Sequence, residues 1–187
     1  MRIVAGVSTE ILDDLQLKVA RYRHAVFVER LGWKLQTRNG EERDQFDRSD
    51  TVYVVAQAEN GAILGCARLL PTTRPYLLGD VFSRLLRGMS PPCSPEIWEL
   101  SRFAALGFDG PPAPAAGSSA VAVGLLEATV RHAAARGAKR LITISPLGVE
   151  RLLKRAGFRC HRAGPPTVID GQLFFACWIE AALESRR

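Results

Sequence analysis

Three places in the chain put charge where packing is the local rule, and such contradictions are where functional residues should be sought. The first is Glu99 in IWELSRFAA, with Ser101 and Arg102 close behind it. On a strand, Glu99 and Ser101 point to one face and Arg102 to the other, so three polar side chains interrupt an apolar run. The second is Arg68 in GCARLLP, which would share a strand face with Cys66 and Leu70. The third is the Asp44 and Asp47 pair of RDQFD, beside Arg43 and downstream of Trp33. Taken singly, each has an ordinary reading: buried ion pairs that fix the fold, an edge-strand arginine in solvent, a solvated loop. Arg23, Phe27 and Trp33 can likewise be a surface cation, a core aromatic and a helix-end plug. The alternative is a pocket whose aromatic faces hold an adenine or a sulfonium cation while its carboxylates hold a charged amine.

The elements that must position these residues follow from periodicity. After a first strand at Arg2 to Ala5, Ser8 is a candidate N-cap, and Asp13 and Asp14 suit the positive end of a helix dipole. Leu12, Leu15, Val19, Tyr22 and Val26 recur at threes and fours, a buried stripe running towards Gly32, and Arg23 and Phe27 share a second face. From Trp33 to Asp50 the chain is polar and aperiodic and reads as a long loop, of the kind that often carries function. TVYVVAQAE and AILGCARLLPT read as a hairpin on Asn60-Gly61, a dipeptide suited to a type I′ turn. Tyr76 to Leu86 is expected as a short amphipathic helix and Ile97 to Ala105 as a buried strand. GFDGPPAPAAG is a Gly/Pro/Ala loop before a helix capped by Ser118 and running to Gly137. KRLITIS is a strand, GVERLLKRAG a helix with a glycine stop, and GQLFFACWIE a last strand. The order predicts an α/β fold, one mixed sheet covered by helices on both sides, within a single domain over residues 1–187.

Composition narrows the class. A chain of 187 residues with 47% hydrophobic and 24% charged residues can bury a sizeable core, and disorder is excluded. The first apolar run is too short for a signal peptide or membrane span, which points to the cytoplasm. Cys66, Cys93, Cys160 and Cys177 lie far apart without a CxxC and read as reduced, buried residues. His24, His132 and His161 are equally scattered, so no metal site is expected. The net charge of +6 suggests an acidic partner.

In order along the chain, RYRHAVFVERLGW, ERDQFD, TVYVVA, GCARLLPTTRPYLL and WELSRFAA closely resemble the autoinducer synthases, the LuxI-type acyl-homoserine lactone synthases. The resemblance covers most of the chain. It implies a three-layer α/β sandwich with a mixed, splayed central sheet, similar to the GCN5-related N-acetyltransferases. It implies roles for Arg23, Phe27, Trp33, Asp44, Asp47, Arg68, Glu99, Ser101 and Arg102, with Phe27, Trp33 and Arg102 binding S-adenosylmethionine. The implied reaction joins an acyl group from an acyl-carrier-protein thioester to the amine of S-adenosylmethionine, then closes the lactone and releases methylthioadenosine, without metal or redox cofactor. An α-amino group with a pKa of roughly 8 must lose its proton before attack, and Glu99 is the candidate general base.

The acyl side is less sharply marked. Leu100, Phe103, Ile142, Ile144, Ser145, Val149 and Leu152 are candidates for an acyl pocket. Ser145 and Pro146 stand where relatives that prefer 3-oxo chains tend to place a threonine, which favours an unsubstituted, medium-length chain. Lys139, Arg140, Arg151, Lys154, Arg155, Arg159 and Arg162 crowd the C-terminal half, and Arg151, Lys154 and Arg155 are the candidate dock for an acidic carrier protein. Two other classes fit the sequence less well. An acetyl-CoA-dependent N-acetyltransferase would carry an R/Q-x-x-G-x-G/A loop, which the GFDGPPAPAAGSSA region lacks. A nucleic-acid-binding module would show a helix-turn-helix, zinc finger or RNP motif, and none is evident. The enzyme is expected to act as a monomer, away from nucleic acid and membrane.

Overall fold

The apolar runs Val52–Gln57 and Ile63–Pro71 form β4 and β5, neighbouring strands of one mixed sheet in a computed structural model that describes residues 1–106 and 115–181. The strand order is β1 (Arg2–Val7), β4, β5, β6 (Ile97–Ala104), β7 (Arg140–Pro146), β10 (Gln172–Glu180) and β8 (Cys160–Arg162), with β9 (Thr167–Ile169) also paired to β10. β1 runs antiparallel to β4, and β10 antiparallel to β7, β8 and β9, whereas β6 and β7 are parallel. This is the mixed α/β sheet that the order of elements predicts. Contacts divide the chain into two compact units, Met1–Arg68 with Arg102–Ala128, and Leu69–Ser101 with Thr129–Arg187.

In the first unit, helix α1 (Asp13–Arg23) passes into a π-helical segment, His24–Arg30, the wider register often found at functional sites. Val19, Tyr22, Val26 and Phe27 pack with Tyr53, Val55 and Cys66 in one core cluster. Leu12 does not join this stripe. It is 79% exposed because α1 starts only at Asp13, and Ile11 takes the inward place. Ser8 is not a helix cap either: it opens a short 3₁₀ turn, and its hydroxyl meets Gln16 at 3.2 Å. The long loop contains a small hairpin, β2 (Thr37–Arg38) and β3 (Glu41–Glu42), turning on Asn39 and Gly40 at φ 54° and 73°. These are the two left-handed residues of a type I′ turn. At Asn60-Gly61 only Gly61 is left-handed, and the Asn60 side chain instead accepts the Ala62 N–H at 3.0 Å. That Asx-type bond selects a different turn from the one expected there.

In the second unit, β6 pairs with β7 only from Ile97↔Arg140 to Leu100↔Thr143, while β7 continues on β10 to Pro146↔Phe174. The expected helix over Tyr76 to Leu86 is broken into α2 (Leu77–Asp80) and a 3₁₀ turn, Ser83–Leu86. Gly79 and Asp80 in its centre are poor helix formers, and a second turn does not propagate. Register then separates two faces. Glu99 and Ile142 are cross-strand partners, and α2 donates to Glu99, so α2 covers that face. Thr143, Cys177 and Arg162 align on the other, where Arg162 pairs with Glu150 of α4 (Leu147–Arg155). Helices therefore cover both sides of the sheet.

Helix α3 (Ala115–Ala134) begins three residues before Ser118, which lies inside it and is not its cap. The loop before it, residues 107–114, lies outside the described residues. All four cysteines are free; Cys66 and Cys177 are buried as expected, but Cys93 is exposed and Cys160 half-buried. Among the described residues no helix is long and apolar enough to cross a membrane.

Candidate active site

Three arginines and three carboxylates of the first unit close into a ring of alternating charge. Arg23 at the end of α1 donates to both oxygens of Asp47 at 2.7 and 3.0 Å. Arg68 of β5 reaches the same Asp47 at 3.0 Å and grips Asp44 through two bonds at 2.5 and 3.0 Å. Arg102 of β6 bonds Asp44 at 2.9 Å and both oxygens of Glu42 at 3.1 and 3.0 Å. Glu42 returns to Arg23 at 2.6 Å, completing the circle. Each guanidinium thus spans two carboxylates, using the fork geometry that makes arginine suited to bidentate pairing.

The ring is almost wholly shielded from water. Arg23, Glu42 and Arg68 are 2%, 0% and 0% exposed, and Asp44 is its most open member with a side chain 13% exposed. Charges so deeply placed persist only if each is paired and hydrogen-bonded, and here three positive groups balance three negative ones. Burial alone would raise the Glu42 carboxyl, but the Arg102 hydrogen bonds and the Arg23 and Arg102 charges outweigh it and hold it below the usual carboxylate range. Asp47 is held low in the same way, burial being outweighed by Arg23 and Arg68. Groups so stabilised as anions are poor bases but firm anchors. The short loop is fixed from within: the Asp44 N–H donates to Asp47 at 2.8 Å and the Phe46 N–H to Asp44 at 2.9 Å.

Two members of this site carried no signal in the sequence. Glu42 stands in a run of charges (NGEERDQFD) where nothing distinguishes it from Glu41, yet the β2–β3 hairpin buries Glu42 and leaves Glu41 half-buried. Tyr53 looks like an ordinary strand aromatic, but its hydroxyl donates to Asp47 at 2.6 Å. Beside the ring, Phe27 and Trp33 stack with centroids 5.0 Å apart and planes 22° from parallel, and the Arg102 guanidinium lies 5.7 Å from the Phe27 centroid. The Trp33 N–H donates to the Phe27 carbonyl at 2.9 Å, which ties the end of the π-helical segment to the stack. Arg102 has φ 50°, a left-handed residue inside a strand, so simple alternation fails at this point of β6. The Cys66 thiol bonds the Arg102 carbonyl at 3.3 Å, and burial pushes that thiol up to about 12, so it stays an S–H donor.

Glu99 and Ser101, both buried, belong to the second unit. Glu99 accepts the N–H groups of Leu77 at 3.0 Å and Leu78 at 2.6 Å, one on each carboxylate oxygen. The acyl-pocket candidates divide between the faces of β7: Ile142 and Ile144 lie on one, and Ser145 with Thr143 on the other, the side covered by α4 with Val149 and Leu152. Leu100 aligns with Thr143, and Phe103 lies in the first unit. The Thr143 and Ser145 hydroxyls are buried and bonded to each other at 3.2 Å. In the basic cluster, Arg151 and Arg155 are exposed, whereas Lys154 pairs with Glu150 at 3.0 Å and Arg162 with the same carboxylate at 2.6 Å. Among the described residues no group of three His, Cys, Asp or Glu side chains is placed to hold a metal ion.

A Lactobacillus plantarum protein described as an N-acetyltransferase shares the fold, with TM-score 0.64 at 16% identity over 97% of this chain and 98% of its own. A sequence profile of the autoinducer synthases matches residues 9–187. The acyl-homoserine-lactone synthase of Acinetobacter nosocomialis is 57% identical over 182 residues, 96% of this chain and 100% of that one. Among solved structures, TofI in a ternary complex with an inhibitor and MTA superposes with TM-score 0.85 at 43% identity, covering 97% and 92% of the two chains. The CoA-dependent acyl-homoserine lactone synthase BjaI, solved with SAM and isopentyl-CoA, gives 0.82 at 27% identity over 96% and 82%. The chain belongs to the autoinducer synthase family and is an acyl-homoserine-lactone synthase by class.

Proposed function

We propose that the whole chain acts as one cytoplasmic, monomeric catalytic domain that acylates the amine of S-adenosylmethionine from an acyl-carrier-protein thioester. The substrate carboxylate then attacks its own γ-carbon and expels methylthioadenosine. The observation that carries this reading is the closed ring of Arg23, Glu42, Asp44, Asp47, Arg68 and Arg102 beside the Phe27–Trp33 stack, in a chain of this family. S-adenosylmethionine offers what such a site recognises: an adenine and a sulfonium for aromatic faces, a carboxylate for a guanidinium, an ammonium for a carboxylate. Asp44 and Asp47 are both engaged by arginines of the ring, and Asp44, the more open of the two at 13% against 6% side-chain exposure, is assigned to the substrate ammonium. Arg23, Arg68 and Asp47 hold Asp44 and Arg102 in place.

In the first step the amine must be neutral, and Glu99 is the proposed base. Its two backbone N–H bonds fix the direction of the carboxylate, the kind of orientation proton transfer requires. Lactone closure has a sulfonium leaving group already in place, so orientation does most of what remains. Neither step calls for a metal or redox cofactor. The proposed acyl chain is unsubstituted and of medium length: Pro146 offers no donor, and the Thr143 and Ser145 hydroxyls are engaged with each other and with the Ile144 carbonyl.

The deciding assay incubates the protein with S-adenosylmethionine and a panel of unsubstituted, 3-oxo and 3-hydroxy thioesters on carrier protein and on CoA, with products identified by mass spectrometry. Lactone with methylthioadenosine is expected, fastest from the carrier-bound, unsubstituted chains. An acylated amine without methylthioadenosine would overturn the reading. Reversal of Arg151, Lys154 and Arg155 to glutamate is expected to slow carrier-protein turnover and flatten its salt dependence while sparing CoA thioesters. Equal effects on both donors would remove the docking assignment.

A further inference from the structure

Helix α2 starts without a cap of its own. Tyr76 occupies the N-cap position, and its side chain makes no capping bond to the helix. The first two helical N–H groups, those of Leu77 and Leu78, are taken instead by Glu99 from β6. These two bonds tie the Glu99 carboxylate to the start of α2, and the residue at that start, Tyr76, is itself held. Its hydroxyl donates to the Pro92 carbonyl at 2.7 Å, in the Pro-rich connection that precedes β6. Its ring lies against Gly79, where an added Cβ would fall 2.8 Å from the ring carbon that bears the hydroxyl. Tyr76 is 4% exposed. The ring is thus clamped by the helix on one side and tethered through its hydroxyl on the other.

We propose that Tyr76 is a positioning residue for the acyl-transfer step, acting through the Leu77 and Leu78 N–H groups to aim the Glu99 carboxylate at the proton it removes. The proposal rests on the reading of Glu99 as the base. Burial, helped by the negative charge of Glu99 nearby, holds the Tyr76 hydroxyl well above its ordinary range, so it remains a donor throughout the working pH range. Without the tether, the helix start can shift by a fraction of an ångström, and a mis-aimed base costs rate more than binding.

The test uses the full chain with S-adenosylmethionine and octanoyl-acyl-carrier-protein, following methylthioadenosine release. Tyr76→Phe removes the hydroxyl and keeps the ring. It is expected to lower kcat by about three- to ten-fold, the loss of one net hydrogen bond, with KM for S-adenosylmethionine changed by less than about two-fold. Gly79→Ala, which displaces the ring and keeps the hydroxyl, is expected to give the same split between kcat and KM. On a Glu99→Gln background, where there is no base left to aim, Tyr76→Phe is expected to add less than about two-fold. Glu99→Gln retaining full rate would remove the base reading and this proposal with it. A slow Glu99→Gln enzyme with Tyr76→Phe at wild-type kcat, or with equal losses in both backgrounds, would overturn the role of Tyr76 and leave the base reading standing.

Discussion

Replacing Glu42 by glutamine tests whether the ring is one electrostatic unit. The carboxylate takes one bond from Arg23 and two from Arg102, and it is fully buried. Glutamine keeps the shape but removes the charge, leaving three buried guanidiniums to share two carboxylates. Its amide nitrogen also turns a donor towards guanidinium donors. Removing one partner of a buried ion pair costs about 3–5 kcal/mol, and the retained amide oxygen puts the expectation near about 3 kcal/mol. For a chain of this size that corresponds to a fall in Tm of roughly 6–12 °C by calorimetry or circular dichroism. Glu41→Gln is the internal control, because Glu41 pairs with the exposed Arg43 at 3.2 Å, and its loss is expected to cost less than about 0.5 kcal/mol. Both Glu42 and Asp47 titrate below their unfolded values, so their stabilisation is present above about pH 4 and lost as pH falls further. The wild-type Tm is expected to drop steeply in that acid window, and Glu42→Gln to flatten the slope. A Glu42→Gln protein that melts within about 1 °C of Glu41→Gln and shows an unchanged acid slope would falsify the ring as a coupled unit.

Two further substitutions probe its supports. Tyr53→Phe removes the bond to Asp47 and is expected to cost about 1.5–3 kcal/mol, as for a hydrogen bond to a charged group; denaturant unfolding with an unchanged midpoint would show that the hydroxyl is idle. Gly65→Ala places a Cβ 2.7 Å from the Ala104 carbonyl oxygen and 3.0 Å from Leu125, forcing β5 away from the strand that carries Arg102; a loss of about 1–3 kcal/mol is expected, and a Tm equal to wild type would show that the strands yield.

The sequence by itself determined the mixed α/β class, the resemblance to autoinducer synthases and most of the ring, because buried charge on an apolar strand stands out against its neighbours. Arg68 and Arg102 were visible for that reason, and Asp44 and Asp47 through their place in the family's motif. Glu42 was not, since within NGEERDQFD the neighbouring Glu41 looks the same, and only the β2–β3 turn on Asn39 and Gly40 decides which of the two faces inward. Tyr53 was hidden because a tyrosine on a buried strand is ordinary until its hydroxyl is seen to find Asp47. The capping of α2 by Glu99 joins residues more than twenty positions apart, and the left-handed Arg102 depends on its surroundings in the fold. Local pattern marks most of the strands and the apolar stripe of α1. The partner that each buried charge meets is a long-range matter, and only tertiary structure supplies it.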